Sequence, residues 1–312
     1  MDWRVQVLGK KCCEVLPMGD KLHTYIQSRL GKLGNLDKEK QLRNRVVPTL
    51  KEISNKSGKN IEGMQICELG TGWYALTPVV FYALGANEIH THDIVKWLTA
   101  SELQESIKTV DDNIDYISNE FDRNEGDIAD RINNIKRTGD TEQILESCNT
   151  FYHLGGTDIH EPTEKFDLYY SYSVLHRIPE SDLHTFLTKS STFGKSNALS
   201  YHVVEHIDIL SRHDEGRNPY GFLQYSDSRF NLIQTKYSYQ NRLRHSDLIH
   251  LFKKYDFQPI YIKRVDGDPE LLSDIELADK FSGYKKDDLT VRRTRLLSER
   301  GADSENPIIE TE

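Results

Sequence analysis

Cysteine is scarce in this chain of 312 residues: Cys12, Cys13, Cys67 and Cys148 are the whole complement, and no two stand as Cys-x-x-Cys. That excludes a disulfide framework and a zinc knuckle, and predicts reduced thiols packed as small apolar side chains. Basic charge is also short, with 40 Lys and Arg against 49 Asp and Glu and a net charge of −9. A broad nucleic-acid surface needs the opposite balance. Long apolar runs are missing too; the longest, around residues 76–86, is far too short to cross a bilayer. The opening Met-Asp-Trp-Arg-Val-Gln-Val has no apolar core of signal-peptide length. The expectation is a cytoplasmic protein with neither membrane nor nucleic acid as partner.

What is present is ordinary globular material, 37% hydrophobic and 29% charged. Residues 1–60 carry helical spacing: Leu22, Tyr25, Ile26 and Leu30 mark one apolar face, and Leu50 and Ile53 a second after Pro48. From residue 61 to 297 short apolar segments alternate with helical ones, at 64–69, 88–94, 150–154, 166–171, 197–204 and 259–264. This is an α/β pattern, predicting a Rossmann-like, doubly wound, mostly parallel sheet. A polar insert at about 100–148, with Ile107, Val110, Ile114, Ile117 and Phe121 at spacings of three and four, predicts amphipathic helices. It is read as either a helical cap or a contact in a homo-oligomer. Ser246 is expected to cap a helix running to Tyr255, and the acidic tail, 298–312, to be disordered.

The richest stretch is Gln65-Ile-Cys-Glu-Leu-Gly-Thr-Gly-Trp73. An apolar strand ends in an acid, Glu68, and then in a Gly-x-Gly turn, Gly70 and Gly72, with Trp73 and Tyr74 behind it. Such glycines let the chain reverse and let a ligand touch bare backbone. About twenty residues on, Asp93 ends a second apolar segment, the spacing at which doubly wound folds hold an adenosine ribose. The turn also fits dinucleotide enzymes. Glu68 argues against a pyrophosphate and for a ligand that brings positive charge near an acid. Asp158, where a third strand would end, is suited to accept from an adenine amino group.

These segments, together with Phe166-Asp-Leu-Tyr-Tyr-Ser-Tyr-Ser-Val-Leu-His-Arg-Ile178, resemble the class I S-adenosylmethionine-dependent methyltransferases over roughly residues 60–265. The small-molecule branch with a Gly-x-Gly-Trp turn is the nearest likeness. The resemblance implies S-adenosyl-L-methionine as cofactor, with Glu68, Gly70, Gly72 and Trp73 at its methionine end. It implies Asp93 at the ribose and Asp158 at the adenine, with Ile94, Ile159 and Ser171 as further candidate cofactor contacts.

Methyl transfer to an alcohol also needs a base, and histidine suits that task near neutral pH. His206 and His213 follow the fifth strand and His176 follows the fourth, where substrates of doubly wound sheets sit. His206, Asp208, His213 and Asp214 match no metal motif, so no metal is expected. Asn241 and Arg242, with Tyr225 as a wall, are candidates to hold a polar or anionic small molecule. The leading expectation is O-methylation of a small metabolite such as a sugar or carboxylated compound. N-methylation, an NAD-dependent oxidoreductase, a nucleic-acid methyltransferase and a non-catalytic partner subunit are the alternatives.

Overall fold

Gln65-Ile-Cys-Glu-Leu69 is buried along its whole length, as a strand covered on both faces must be. It forms β1 (Gln65–Leu69), near the middle of an eight-stranded sheet. The computed structural model describes residues 3–19, 22, 37–135, 137–214, 216–303 and 306–312. In chain order the other strands are β2 (Glu88–Asp93), β3 (Thr150–Leu154), β4 (Phe166–Tyr172), β5 (Gly194–Glu205), β6 (Phe257–Asp266), β7 (Val291–Arg300) and β8 (Ile308–Thr311). Their spatial order is β3-β2-β1-β4-β5-β7-β6-β8. All neighbours pair in parallel except β7, which is antiparallel to both β5 and β6. The expected doubly wound, mostly parallel sheet is present. The chain winds outward from β1 through β2 to β3, then returns to β4 on the other side. That reversal opens a crevice at the carboxyl ends of β1 and β4.

Alternate strand residues feed two helical layers. Ile66, Ile89, Leu168, Tyr170, Leu199 and Tyr201 face one core; Cys67, Leu69, Tyr169, Ala198, Val204 and Leu296 face the other. The helices are α1 (Trp3–Val15), α2 (Lys38–Gln41), α3 (Val47–Ser57), α4 (Leu76–Ala83), α5 (Ala100–Asp111), α6 (Ile114–Phe121), α7 (Glu125–Asn133), α8 (Thr141–Glu146), α9 (Glu180–Phe193), α10 (Asp227–Ile233), α11 (His245–Lys254) and α12 (Lys286–Leu289). Leu42–Val46 joins α2 to α3 as a single π-helical turn. The expected helical face through Tyr25, Ile26 and Leu30 lies outside the described residues.

The insert at 100–148 is helical, as its spacing predicted. Its apolar side (Leu103, Ile107, Val110, Ile117, Ile128, Ile132, Ile144 and Leu145) is buried in the first core beside α3 and α4. Arg131 donates to the carbonyls of Tyr82 at 2.7 Å and Ala86 at 2.9 Å, satisfying the open end of α4. The insert therefore builds part of the helical layer over the sheet.

Two expectations are corrected. Residues 308–311, read as part of a disordered tail, form β8 on the edge of β6, where Glu310 accepts from Tyr261 Oη at 2.9 Å and pairs with Lys56 at 2.6 Å. The helix expected to be capped by Ser246 is capped two residues earlier, by Arg244. Asp247 closes on the Arg244 N–H at 2.8 Å, and Ser246 Oγ donates instead to Asp288 at 2.6 Å.

A third cluster was not legible in the sequence. Tyr220, Phe222, Leu223, Phe230, Leu272, Phe281 and Leu289 gather the segments after β5 and after β6 into a small lobe.

Candidate active site

The turn after β1 needs backbone that side chains resist. Gly70 and Gly72 have φ of 85° and 67°, and Ala75, at the start of α4, has 48°. A Cβ on Gly70 would run into Val174 Cγ2, whereas one on Gly72 would meet nothing within 4 Å. The first glycine is required by packing against the segment after β4. The second keeps an open space over its backbone, as a bound molecule would need.

Two carboxylates flank this turn. Asp93 Oδ2 accepts from the Gly72 N–H at 3.0 Å and Oδ1 from the Ile94 N–H at 2.8 Å. Burial nonetheless raises its pKa, with those backbone N–H groups opposing the rise. Glu68 is 3% exposed and accepts from Thr91 Oγ1 at 2.7 Å. Burial pushes its pKa up to about 8; the Thr91 hydrogen bond and the Arg45 guanidinium oppose that rise, and Asp93 adds to it. A carboxyl so poised is converted to the anion by any cation that arrives beside it.

Arg45 was not singled out from the sequence. It projects from the π-helical turn, its guanidinium 5.0 Å from the centre of the Tyr172 ring, and its Nε is buried without a hydrogen bond among the described residues. Single π-turns inside helices recur at functional sites, and a search for helical periodicity passes over them. Trp73 stacks on Trp97 with ring centres 4.5 Å apart, and the Lys38 ammonium lies 4.7 Å from the Tyr74 ring centre. The two residues after Gly72 thus each bring a partner with them, an aromatic ring for Trp73 and a cation for Tyr74.

Other candidates fall elsewhere. Ile94 is 72% exposed at the tip of β2, beside Gly156, and Ile159 is buried in the second core. Asp158 is exposed and pairs with Lys189 of α9, which lowers its pKa. Ser171 shares a 2.7 Å hydrogen bond with His202 Nδ1, both fully buried in the sheet. Next to Asp158 the chain stacks imidazoles: His92 lies 4.6 Å from His153, which lies 5.1 Å from His90 and 4.8 Å from His160.

Asn241 and Arg242, expected at the substrate, hold backbone carbonyls. Asn241 Nδ2 donates to the carbonyls of Leu175 and Ile178, each at 2.8 Å, and its N–H donates to that of His176 at 2.8 Å. It staples the turn after β4. Arg242 is buried in the third lobe, donating to the carbonyls of Phe222 and Tyr225 and pairing with Asp227, with its guanidinium over Phe230. Tyr225 contributes there through its carbonyl.

Of the three candidate bases, His206 is engaged on both nitrogens, with the Leu243 carbonyl at 3.0 Å and Thr294 Oγ1 at 2.8 Å. Burial and the Arg244 charge hold its pKa well below the ordinary value. His176 is 2% exposed, and neither ring nitrogen has a partner among the described residues. Burial, then Arg177 and Arg212, keep it neutral. The side chain of His213 lies outside the described residues. A surface hollow of about 270 Å³ between Lys51, Glu62 and Arg123 sits at the other end of the sheet, away from the glycine turn.

No protein-family model matches the chain, and no curated protein does. Its sheet and helical layers are similar to those of solved methyltransferases. Magnesium protoporphyrin IX methyltransferase from Synechocystis shares 10% identity, with 83% of each chain covered and a TM-score of 0.44. An S-adenosylmethionine-dependent methyltransferase from Mesorhizobium loti shares 12%, with 81% of this chain and 100% of that one covered and a TM-score of 0.43. Geranyl diphosphate C-methyltransferase from Streptomyces coelicolor shares 11%, with coverage of 83% and 80% and a TM-score of 0.45. The likeness is one of chain path, and it assigns no residue a role.

Proposed function

We propose that this chain is an S-adenosylmethionine-dependent methyltransferase acting on a small polar or anionic molecule. The observation that carries the reading is the pairing of two acids around an open glycine turn: Glu68 behind it, Asp93 beside it, and free space over Gly72. A pyrophosphate there would push the Glu68 pKa higher still and find no charge partner in it, which disfavours a nicotinamide dinucleotide. An ammonium or sulfonium would be attracted, and would draw the Glu68 proton off.

In this reading the residues divide the work by chemistry. Asp93 accepts from the ribose hydroxyls while keeping its bond to the Gly72 N–H. Glu68 faces the methionyl ammonium, and Arg45 lies near enough to the same site to answer its carboxylate. Trp73 and Trp97 give the ligand a flat apolar wall and keep water from the transfer path. The cofactor, when bound, supplies an electrophilic methyl group on a leaving sulfonium, so the protein's main task is alignment. For an acceptor hydroxyl, His176 is the base we favour, because its nitrogens are uncommitted and neutral where those of His206 are tied. Oxygen is therefore our preferred acceptor atom over nitrogen.

The deciding experiment is calorimetric titration of the purified protein with S-adenosylhomocysteine, with NAD in parallel. Saturable binding of the first alone is expected. Binding of NAD alone would replace the methyltransferase reading with an oxidoreductase.

A further inference from the structure

Lys10, Arg177 and Arg212 come from three separate segments that meet beyond the carboxyl ends of β4 and β5. Helix α1 carries Lys10 and lies across the segment after β5, with Val7 against Ile209 and Leu210. The Trp3 N–H donates to Asp214 Oδ2 at 3.1 Å, and the Arg217 guanidinium sits 4.2 Å from the Trp3 ring centre. Arg177 ends the tight turn Leu175–Arg177, stapled by Asn241. Three residues before Arg177, Val174 presses on Gly70, so this turn abuts the glycine turn.

The charges there are unbalanced. Among the described residues neither Lys10 nor Arg177 has a carboxylate partner. Arg212 reaches Glu205 at 3.4 Å, but Glu205 is already bound by Arg293 at 2.8 Å. Crowding and Arg177 pull the Lys10 ammonium down to about 8; crowding and Arg212 pull Arg177 down to about 10. Arg177 nevertheless is exposed, so the cluster opens to solvent. Beside it His176 is buried with both ring nitrogens unpartnered, an uncommon state for a buried polar ring. Three cations with a single acid among them, one already shared with Arg293, around an unsatisfied imidazole, are complementary to an absent oxyanion.

We infer that Lys10, Arg177 and Arg212, ranged about the buried His176, form a recognition site for a carboxylate or phosphate group on the methyl acceptor. The placement rests on the methyltransferase reading, since it sets this cluster next to the cofactor turn; the anion affinity itself does not depend on it. Occupation would restore Lys10 toward its ordinary pKa, so binding near pH 8 takes up a proton.

The test uses the full-length protein preloaded with S-adenosylhomocysteine and titrated calorimetrically with inorganic phosphate and, separately, malonate. Both probes are run at pH 8 in two buffers of different ionisation enthalpy. Saturable binding of at least one anion, with proton uptake and at least tenfold weakening in Arg177→Gln and Lys10→Gln, is expected. The exposed control Arg137→Gln should bind as the wild type does. Equal affinity in wild type and both variants, or no binding of either anion to the loaded protein, overturns the site. If Arg177→Gln does not fold, Lys10→Gln on the surface helix decides alone. Failure of S-adenosylhomocysteine to bind would strike the cofactor reading separately, and the anion titration of the unloaded protein would still decide the anion site.

Discussion

The carboxylate of Asp93 accepts from the backbone N–H of Gly72 at 3.0 Å, so the tip of β2 is latched to the turn after β1 before any ligand arrives. The acid that would read a ribose is thereby fixed in place by the turn that would hold the methionyl end. Preorganisation of this kind removes part of the ordering cost of binding.

Asp93→Ala should unlatch the turn and remove the ribose acceptor together. Charge-assisted hydrogen bonds contribute about 1.5–3 kcal/mol each, so S-adenosylhomocysteine should bind roughly 10–100-fold more weakly. Calorimetry on a variant with native circular dichroism checks this. Unchanged affinity would remove Asp93 from the site.

The two glycines should respond differently to alanine. At Gly70 the new methyl collides with Val174 and the φ of 85° is strained, so Gly70→Ala should be severely destabilised in urea. At Gly72 only the φ of 67° opposes the change, a cost of about 1–2 kcal/mol. Gly72→Ala should therefore fold and yet lose ligand affinity, because its methyl would fill the open space. If it binds as tightly as the wild type, that space is not the cofactor's.

Glu68 predicts a stability that depends on pH. Its folded pKa, about 8, lies above the ordinary 4.5. An acid shifted this way costs nothing below about pH 4.5, and its penalty grows as the pH rises and levels off above about 8. The full penalty is on the order of 5 kcal/mol. Glu68→Gln should therefore raise the unfolding temperature of the unliganded protein at pH 8.5 and change it little at pH 4.5, while weakening S-adenosylhomocysteine. Thermal scans at the two values, with and without ligand, test both halves.

Asn241→Ala separates a staple from a substrate contact. Losing the donors to Leu175 and Ile178 leaves two carbonyls poorly satisfied, at about 1–3 kcal/mol. The urea midpoint should fall by the corresponding amount. An unchanged midpoint would return Asn241 to the list of ligand contacts.

Six strands were legible because their apolar runs are bounded by turn residues, and the glycine turn because only glycine tolerates its backbone. β7 was not: Val291-Arg-Arg-Thr-Arg295 reads as polar. Its arginines are answered by Glu205 and Glu52, acids far off in sequence. Asn241 and Arg242 looked like ligand-binding groups because a sequence does not reveal distant carbonyls, and backbone carbonyls are what they hold. Asp158 was read from its position after a strand; its pairing with Lys189 depends on how α9 crosses the sheet. Arg45 and Lys10 belong to no motif, and Arg177 stands in the stretch 166–178 with no role of its own; only the meeting of their segments gives them meaning.

The imidazole stack at the β2–β3 edge has a consequence for endurance in acid. Burial and neighbouring rings hold His92 at about 2 and His153 at about 4, well under the ordinary 6.5. A base depressed on folding takes protons more readily when unfolded, so its neutral packing is secure above about pH 6.5 and lost progressively below it. Lys189 adds a positive charge to His92; Glu88, bonded to His90, and Asp158, paired with Lys189, offset part of it. The outer margin of the sheet is thus the protein's weak seam toward acid: β3, hydrogen-bonded on one side only, is the strand that should peel first.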